Sequence, residues 1–355
     1  MKIGLLVGDI TRSGGTEKAL INLINLYGEE HEFVIFSPSS NMNTPIFYEI
    51  PKEVKLFHFN LGVIPDNHIN KIKFYNKFYN KLKNEIVVNN FDVLIGYGHS
   101  MSIILSLFSK NNLKCYAYEH ADYSTMPIVT KILVKKVYKR LNGLIVLSQL
   151  AHNNFSKLNN NVKIIPNHIT IPVLDETIKK QDRIIMVGRL SKEKGYDRIV
   201  NIAKSIQIKF PNWIIDIFGD GPLKADLKNI FAKNQLNNVK LHGSVKNINK
   251  EFQTSKIFMM TSHTEAMPFV ILEAKTFGLP IVAYENEGTK LLVNDQLDGF
   301  LVENDSEEIF IEKLNFLITN EEDSIKMGQY GKNSISEFSP EAIKLKWDEI
   351  FKNNL

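Results

Sequence analysis

One cysteine in 355 residues rules out an internal disulfide and fits a reducing compartment. That residue, Cys115, sits in K-C-Y-A-Y, which reads as a strand, and it is expected in the core rather than at a nucleophilic centre. No apolar run approaches the roughly 18 residues that a bilayer span needs. The opening K-I-G-L-L-V-G is too short for a signal peptide and reads as a first buried strand, so the expected location is the cytoplasm. The pattern G-x-G-x-x-G is missing, which disfavours NAD. There is no helix-turn-helix, zinc-finger spacing or ribonucleoprotein-type strand, so nucleic acid is not an expected partner. Solenoid repeats and low-complexity tracts are also absent.

The chain is too long for one ordinary core, and two domains of about 170 residues each are the natural expectation. A hydrophobic content of 44% against 23% charged places it among soluble globular proteins. The net charge of +4 hides an asymmetry. Residues 1–168 hold 19 Lys+Arg and 12 Asp+Glu, a balance of +7, whereas the remainder holds 24 and 27, a balance of −3. Much of the basic surplus lies in 71–83 (K-I-K-F-Y-N-K-F-Y-N-K-L-K) and 131–140 (K-I-L-V-K-K-V-Y-K-R), where cations alternate with aromatic and aliphatic residues at helical spacing. Such segments can lie on an anionic membrane surface, with the protein peripheral on the inner face of the cytoplasmic membrane. A solvated helix face with its apolar side packed inward reads from the same letters.

Strands are expected at 2–8, 32–36, 54–59, 92–96, 114–118 and 143–147, with helical patterns between several of them. This alternation predicts an α/β protein with largely parallel sheets covered by helices, where ligands gather at the carboxyl ends of strands. Gly14 and Gly15 bend the chain after the first strand, with a helix from about Thr16, and let a ligand approach the backbone closely. A mere tight turn is the alternative. Gly96–Ser100 and Glu119-His120-Ala121-Asp122 fall at strand ends, which makes His120 a candidate site residue against the commoner structural histidine. Two prolines and a polar run over 165–180 mark an interdomain linker. We divide the chain into 1–168, a linker 169–182, a second domain 183–338, and a final helix 339–355 that can return to the first domain.

In the second half a strand ends at Gly188, and Arg189 and Lys194 follow on one loop before a helix from Gly195 or Tyr196. Two cations at a strand's C-terminal end suit a diphosphate, although surface loops often carry such charges. Further strands are expected at 213–218, 239–245, 256–261, 279–284 and 299–302, with helices over roughly 306–352. The stretch E-A-M-P-F-V-I-L-E (265–273) sets one carboxylate before Pro268 and another beyond it. Proline is tolerated in a first helical turn, so Pro268 marks a helix start, with Glu265 in the approach loop and Glu273 more than a turn inside. Two hydroxyl acceptors flanking free helix N–H groups suit a sugar phosphate. An ordinary amphipathic helix with two solvated glutamates is the alternative.

The pieces G-R-L-S-K-E-K-G-Y-D (188–197), F-G-D-G-P (218–222), H-G-S-V (242–245), 265–283 and D-G-F-L-V (298–302) together resemble the donor domain of the retaining, GT-B-fold glycosyltransferases of family 4. The first half resembles that family more loosely, through S-G-G-T-E-K-A-L (13–20) and Y-E-H (118–120). The resemblance implies two Rossmann-like domains facing each other across a cleft, the second binding a nucleotide sugar and the first a saccharide or lipid-linked saccharide acceptor. It implies that Arg189 and Lys194 hold the donor diphosphate and that Glu273 binds the ribose. Phe269 and Val270 would present N–H groups to the phosphates, and Gly243, Ser244 and Val245 would line the base. Glu265 would contact the transferred sugar, with Met267 and Pro268 beside it, and Gly14, Gly15 and His120 would face it from the other domain. The catalytic set so implied is His120, Glu265, Arg189 and Lys194. The family commonly has glycine and an aromatic where Ala266 and Met267 stand, which bears on the choice of sugar.

The sequence holds no Asp-x-Asp, which agrees with the metal-independent, cofactor-free chemistry that the resemblance implies. The expected reaction moves a hexose or N-acetylhexosamine, with UDP the expected carrier and GDP-mannose an alternative donor, in surface polysaccharide or lipid-linked oligosaccharide synthesis. A glycoside hydrolase would pair Glu265 with Glu273 and leave the 189–194 loop unexplained. A non-hydrolysing UDP-sugar epimerase would act with no acceptor, and a non-catalytic carbohydrate-binding module would show no turnover.

Overall fold

The structure, a computed structural model, describes residues 1–39, 44–109, 113–121, 123–172, 174–175 and 177–352. Asp122, positions 173 and 176 of the expected linker and the last three residues of the expected final helix lie outside the described residues. The chain divides into two compact units, Met1–His168 with Pro340–Leu355, and Ile169–Ser339.

The first unit is built on a parallel seven-stranded sheet, β1 (Lys2–Leu6), β2 (Glu32–Ser37), β3 (Lys55–His58), β4 (Val93–Tyr97), β5 (Lys114–Tyr118), β6 (Gly143–Val146) and β7 (Val162–Ile164), in the order β3-β2-β1-β4-β5-β6-β7. Ile3, Leu5 and Leu6 of β1 and Val93, Leu94 and Ile95 of β4 are all fully buried, as parallel strands covered on both faces must be. Cys115 is buried on β5, and burial pushes its thiol up to about 12, so it is an inert core group. The helix Pro340–Lys352 completes this unit. The Tyr27 hydroxyl donates to Asp348 Oδ1 at 2.8 Å, and Trp347 meets Tyr118 edge to face at 5.4 Å.

The second unit carries a parallel six-stranded sheet, β8 (Arg183–Val187), β9 (Ile214–Phe218), β10 (Val239–Gly243), β11 (Ile257–Met260), β12 (Ile281–Tyr284) and β13 (Gly299–Val302), in the order β10-β9-β8-β11-β12-β13. Helix Ile199–Lys209 covers it with Ile199, Ile202, Ala203 and Ile206, the i, i+3, i+4, i+7 stripe of an amphipathic helix, all of them buried.

Local departures from the sequence reading have physical causes. The helix expected from Gly195 or Tyr196 begins at Ile199, after 3₁₀ turns at Lys192–Lys194 and Tyr196–Arg198. Gly195 sits between them at φ +64°, a left-handed conformation that no α-helix passes through. The strand expected over 239–245 stops at Gly243, whose φ is +83°. β7 was not expected, because its three half-buried residues carry no apolar run. Ile169, Lys180 and Gln181 are held on the second unit, the Ile169 N–H by the Phe338 carbonyl at 2.9 Å. Lys180 Nζ donates to the carbonyls of Ser255 and Phe277, both at 3.1 Å, and the Gln181 N–H donates to Thr254 at 2.7 Å.

Candidate active site

Because all six strands of the second sheet are parallel, the loops after β8, β9, β10, β11 and β12 leave from one edge. The loops after β8 and β11 are in direct contact. A Cβ at Gly195 would lie 2.0 Å from the Thr261 carbonyl oxygen, so only glycine allows this approach. The Thr261 hydroxyl donates to the Lys194 carbonyl at 3.2 Å, and the His263 N–H donates to the Glu193 carbonyl at 2.9 Å. Held this way, Lys194 Nζ reaches Glu265 Oε1 at 2.6 Å, and the Ser262 hydroxyl donates to the same oxygen at 2.8 Å. The pair is largely shielded, the two side chains being 24% and 11% exposed. Two residues assigned separate tasks from sequence are thus one ion pair.

Arg189 is exposed at the start of the same loop. Burial works to raise the nearby Glu193 carboxyl, but the Ser191 hydroxyl, its own N–H and the cations Lys194 and Arg189 outweigh that and hold it below the usual range. Tyr196 donates its hydroxyl to the Gly188 carbonyl at 3.0 Å, and burial together with the Glu265 charge keeps that hydroxyl protonated.

Pro268 caps helix Phe269–Thr276 in an extended conformation, with φ −74° and ψ 114°. Met267, Pro268 and Phe269 are buried, whereas Val270 and Glu273 are half-buried. The Ile271 N–H closes on the Pro268 carbonyl at 3.2 Å, and Phe269 and Val270 form the first turn of the helix. Across the sheet, Gly243 ends β10 and its carbonyl accepts from the Gly219 N–H at 2.8 Å. Ser244 beyond it is exposed and Val245 half-buried.

In the first unit Gly14 is the N-cap of helix Gly15–Tyr27. Its backbone is extended, and a Cβ there would lie 2.5 Å from Glu17 Oε2, so the missing side chain makes room for that carboxylate. Glu17 stands three residues after the N-cap, the capping-box spacing, which is the sequence signal that marks it. Burial pushes its carboxyl up to about 7, against the Glu17 N–H, Arg12 and the Gly14 N–H, while Asp9 adds to the rise.

His120 follows β5 with its ring stacked on Tyr97, centroids 5.6 Å apart, and tilted against Tyr118 at 4.2 Å. Its Nε2 is buried with no hydrogen-bond partner among the described residues, and burial lowers the ring to about 3, so the imidazole is neutral. Glu119 before it is buried. Its Oε1 accepts from Tyr138 and, at 3.2 Å, from Ser102, while Oε2 has no partner among the described residues. Burial pushes this carboxyl up to about 7 despite those two donors. Among the described residues no group of three or more His, Cys, Asp or Glu side chains could hold a metal ion.

Residues 175–334 match the family model described as glycosyl transferases group 1. Across nearly the whole chain, 26% of residues are identical to the amylovoran biosynthesis glycosyltransferase AmsD of Erwinia amylovora, over 360 residues, 98% of this chain and 99% of that one. A Campylobacter jejuni enzyme named as an α-1,4-N-acetyl-D-galactosaminyltransferase acting on an undecaprenol-diphosphate-linked saccharide is also 26% identical, over 98% of this chain and 97% of its own. The solved structure of the pneumococcal O-GlcNAc transferase GtfA with UDP and GlcNAc superposes with a TM-score of 0.80 at 14% identity, covering 100% of this chain and 99% of that one. The fold is GT-B.

Proposed function

We propose that this glycosyltransferase, whose residues 175–334 match the model of glycosyl transferases group 1, moves a hexose or N-acetylhexosamine from a UDP-sugar to a saccharide acceptor in the synthesis of a surface polysaccharide or lipid-linked oligosaccharide. The Lys194–Glu265 pair beside the N-terminus of helix Phe269–Thr276 carries this reading. It puts a cation and helix N–H groups where a diphosphate can lie, next to a carboxylate that can accept sugar hydroxyls. Glu273, five residues into the helix, suits the ribose hydroxyls, and the 243–245 turn suits the base.

In the proposed reaction the bond from the anomeric carbon to the diphosphate oxygen breaks and the acceptor oxygen takes its place on the same face. The acceptor proton passes to the departing phosphate, whose charge Arg189, Lys194 and the helix N-terminus stabilise without a metal. No strong protein base is needed. His120, neutral throughout the physiological range, suits a hydrogen bond to a hydroxyl better than proton abstraction. A UDP donor is supported by the GtfA complex, and a polysaccharide or lipid-linked acceptor by the names of the Erwinia and Campylobacter relatives. The hydrolase and epimerase alternatives find no support among these relatives. Incubation with UDP-, GDP- and ADP-sugars and extracted lipid-linked saccharides should release nucleoside diphosphate only when acceptor is present, with the donor's anomeric configuration kept in the product. Sugar interconversion without acceptor, or cleavage of glycosides without nucleotide, would overturn the reading.

A peripheral membrane site belongs to the same proposal. In helix His68–Asn89 the aromatic Phe74 and Phe78 pack inward with Leu82 and Ile86, leaving Lys71, Lys73 and Lys77 on other faces. Helix Ile128–Val137 does the opposite. Only Val134 is buried, while Ile128 is 76% and Val129 61% exposed, and Ile132 and Leu133 are also outside. Lys131, Lys135 and Lys136 accompany them, so an aliphatic face edged by cations points to an anionic bilayer as its occupant. The protein should co-sediment with phosphatidylglycerol vesicles and not with phosphatidylcholine vesicles. Exchange of Lys135 and Lys136 for glutamate together with Ile132→Asp should abolish the binding. Equal binding to both lipids, or full binding by the triple variant, would reject the site.

A further inference from the structure

The loop that presents Glu265 is fastened from behind by a turn the proposed chemistry does not use. Asn286 caps helix Glu287–Leu292 reciprocally, its Oδ1 accepting from the Thr289 N–H at 3.1 Å while its own N–H donates to Thr289 Oγ1 at 2.8 Å. This leaves its Nδ2 to donate to the Ser262 carbonyl at 3.1 Å. Two residues on, the Gly288 N–H donates to the Glu265 carbonyl at 2.9 Å. Gly288 is buried, and a Cβ there would stand 2.7 Å from Glu265 Cβ and 2.8 Å from Pro268 Cδ. Its φ is not positive, so it is the missing side chain rather than the backbone conformation that this position requires.

We propose that Asn286 and Gly288 are positioning residues that hold the 262–268 loop at Ser262 and at Glu265, so that the Ser262 hydroxyl and Lys194 Nζ converge on one oxygen of Glu265. Asn286 fixes the backbone at Ser262, whose hydroxyl orients the carboxylate. Gly288 fixes the backbone at Glu265 itself and lets the turn before Pro268 lie flat against helix Glu287–Leu292. Both act through Glu265 and neither is assigned to the donor. As a deepening of the function proposed above, the inference rests on Glu265 meeting the transferred sugar.

Two substitutions separate this brace from ordinary stability. Asn286→Asp keeps the oxygen that caps the helix and adds a charge that a helix N-terminus favours, but removes the donor to Ser262. Gly288→Ala introduces a better helix former, so helix Glu287–Leu292 is not weakened while the loop is pushed away. In the unliganded protein, amide exchange over 261–268 should rise about tenfold in each variant, the effect of losing roughly one hydrogen bond's worth of restraint. The amide of residue 288 should lose protection along with the loop, while exchange over 269–276 and 289–292 should match the parent. With UDP-N-acetylglucosamine as donor probe, kcat should fall while the Kd for UDP stays at the parental value, because the diphosphate contacts are untouched. Unchanged exchange over 261–268, or an equal rise throughout the second unit, would overturn the brace. Localised exchange in a protein that binds neither UDP nor UDP-N-acetylglucosamine would support the brace and count against the donor reading alone.

Discussion

Lys194→Met is expected to lower nucleoside diphosphate release by about two to three orders of magnitude, the usual cost of removing one preorganised charge from a developing anion. Methionine keeps the length and apolar stem of lysine and removes only the ammonium. The same change leaves Glu265, whose side chain is 11% exposed, without its ion partner, and the fold should lose about 1–3 kcal/mol. Those two consequences come apart in a cycle with Glu265→Gln. The double variant has no orphaned charge, so its stability in urea should return close to that of the parent, whereas its rate should stay low. Recovery of rate along with stability would mean that Lys194 serves only to neutralise Glu265, and the diphosphate role would have to be given up. Arg189 offers a contrast, being exposed and having no ion pair with a carboxylate among the described residues. Arg189→Met should reduce rate with little change in stability.

A large pH effect is expected at Glu119. Its carboxyl rises from 4.5 to about 7 on folding, so between those values the native state holds a proton that the unfolded chain has released. The stabilisation is complete below pH 4.5 and is lost as pH climbs through 7, to a total of about 3 kcal/mol by the usual 1.36 per unit. Glu17 behaves in the same sense, with the same endpoints. His120 and His168 oppose them: burial lowers their rings to about 3 and about 4, so their contribution is complete above 6.5 and disappears as pH falls. A single stability curve for the parent therefore mixes both signs, and the informative quantity is a difference. Urea unfolding of the parent and of Glu119→Gln, compared from pH 4.5 to 8, should show the variant gaining on the parent by about 3 kcal/mol across the range. A difference that stays flat would mean that the buried carboxyl titrates normally.

Much of the architecture was readable in the chain because strands of a parallel sheet are buried on both faces and show as short apolar runs. β1, β4 and β12 are such runs, and β7 escapes because its three residues are half-buried at the sheet's edge. Residue types also pointed to Pro268 as a helix start and Gly188 as a strand end, since proline and glycine act locally. What local pattern could not convey was pairing at a distance. Lys194 and Glu265 are 71 positions apart, and their contact depends on Gly195 letting one loop touch another. Gly288 carries no mark in the sequence that separates it from any helical glycine, because the atoms it must avoid belong to Glu265 and Pro268. Gly14 and Glu17 lie between these cases: the capping-box spacing is visible, but that the glycine exists to admit the carboxylate is a matter of space.

The return of Pro340–Lys352 to the first unit has a consequence for the order in which the protein is made. Residues 1–168 leave the ribosome before residues 169–339, yet Tyr27 and Tyr118 find Asp348 and Trp347 only when the thirteen-residue helix Pro340–Lys352 is released. The unit synthesised first is thus the last to close, after the whole of 169–339 has emerged and had time to fold. A nascent chain stalled before residue 340 would carry a finished second unit beside a first unit with an apolar seat still empty. Chaperone engagement is therefore expected to concentrate on residues 1–168 until helix Pro340–Lys352 has emerged.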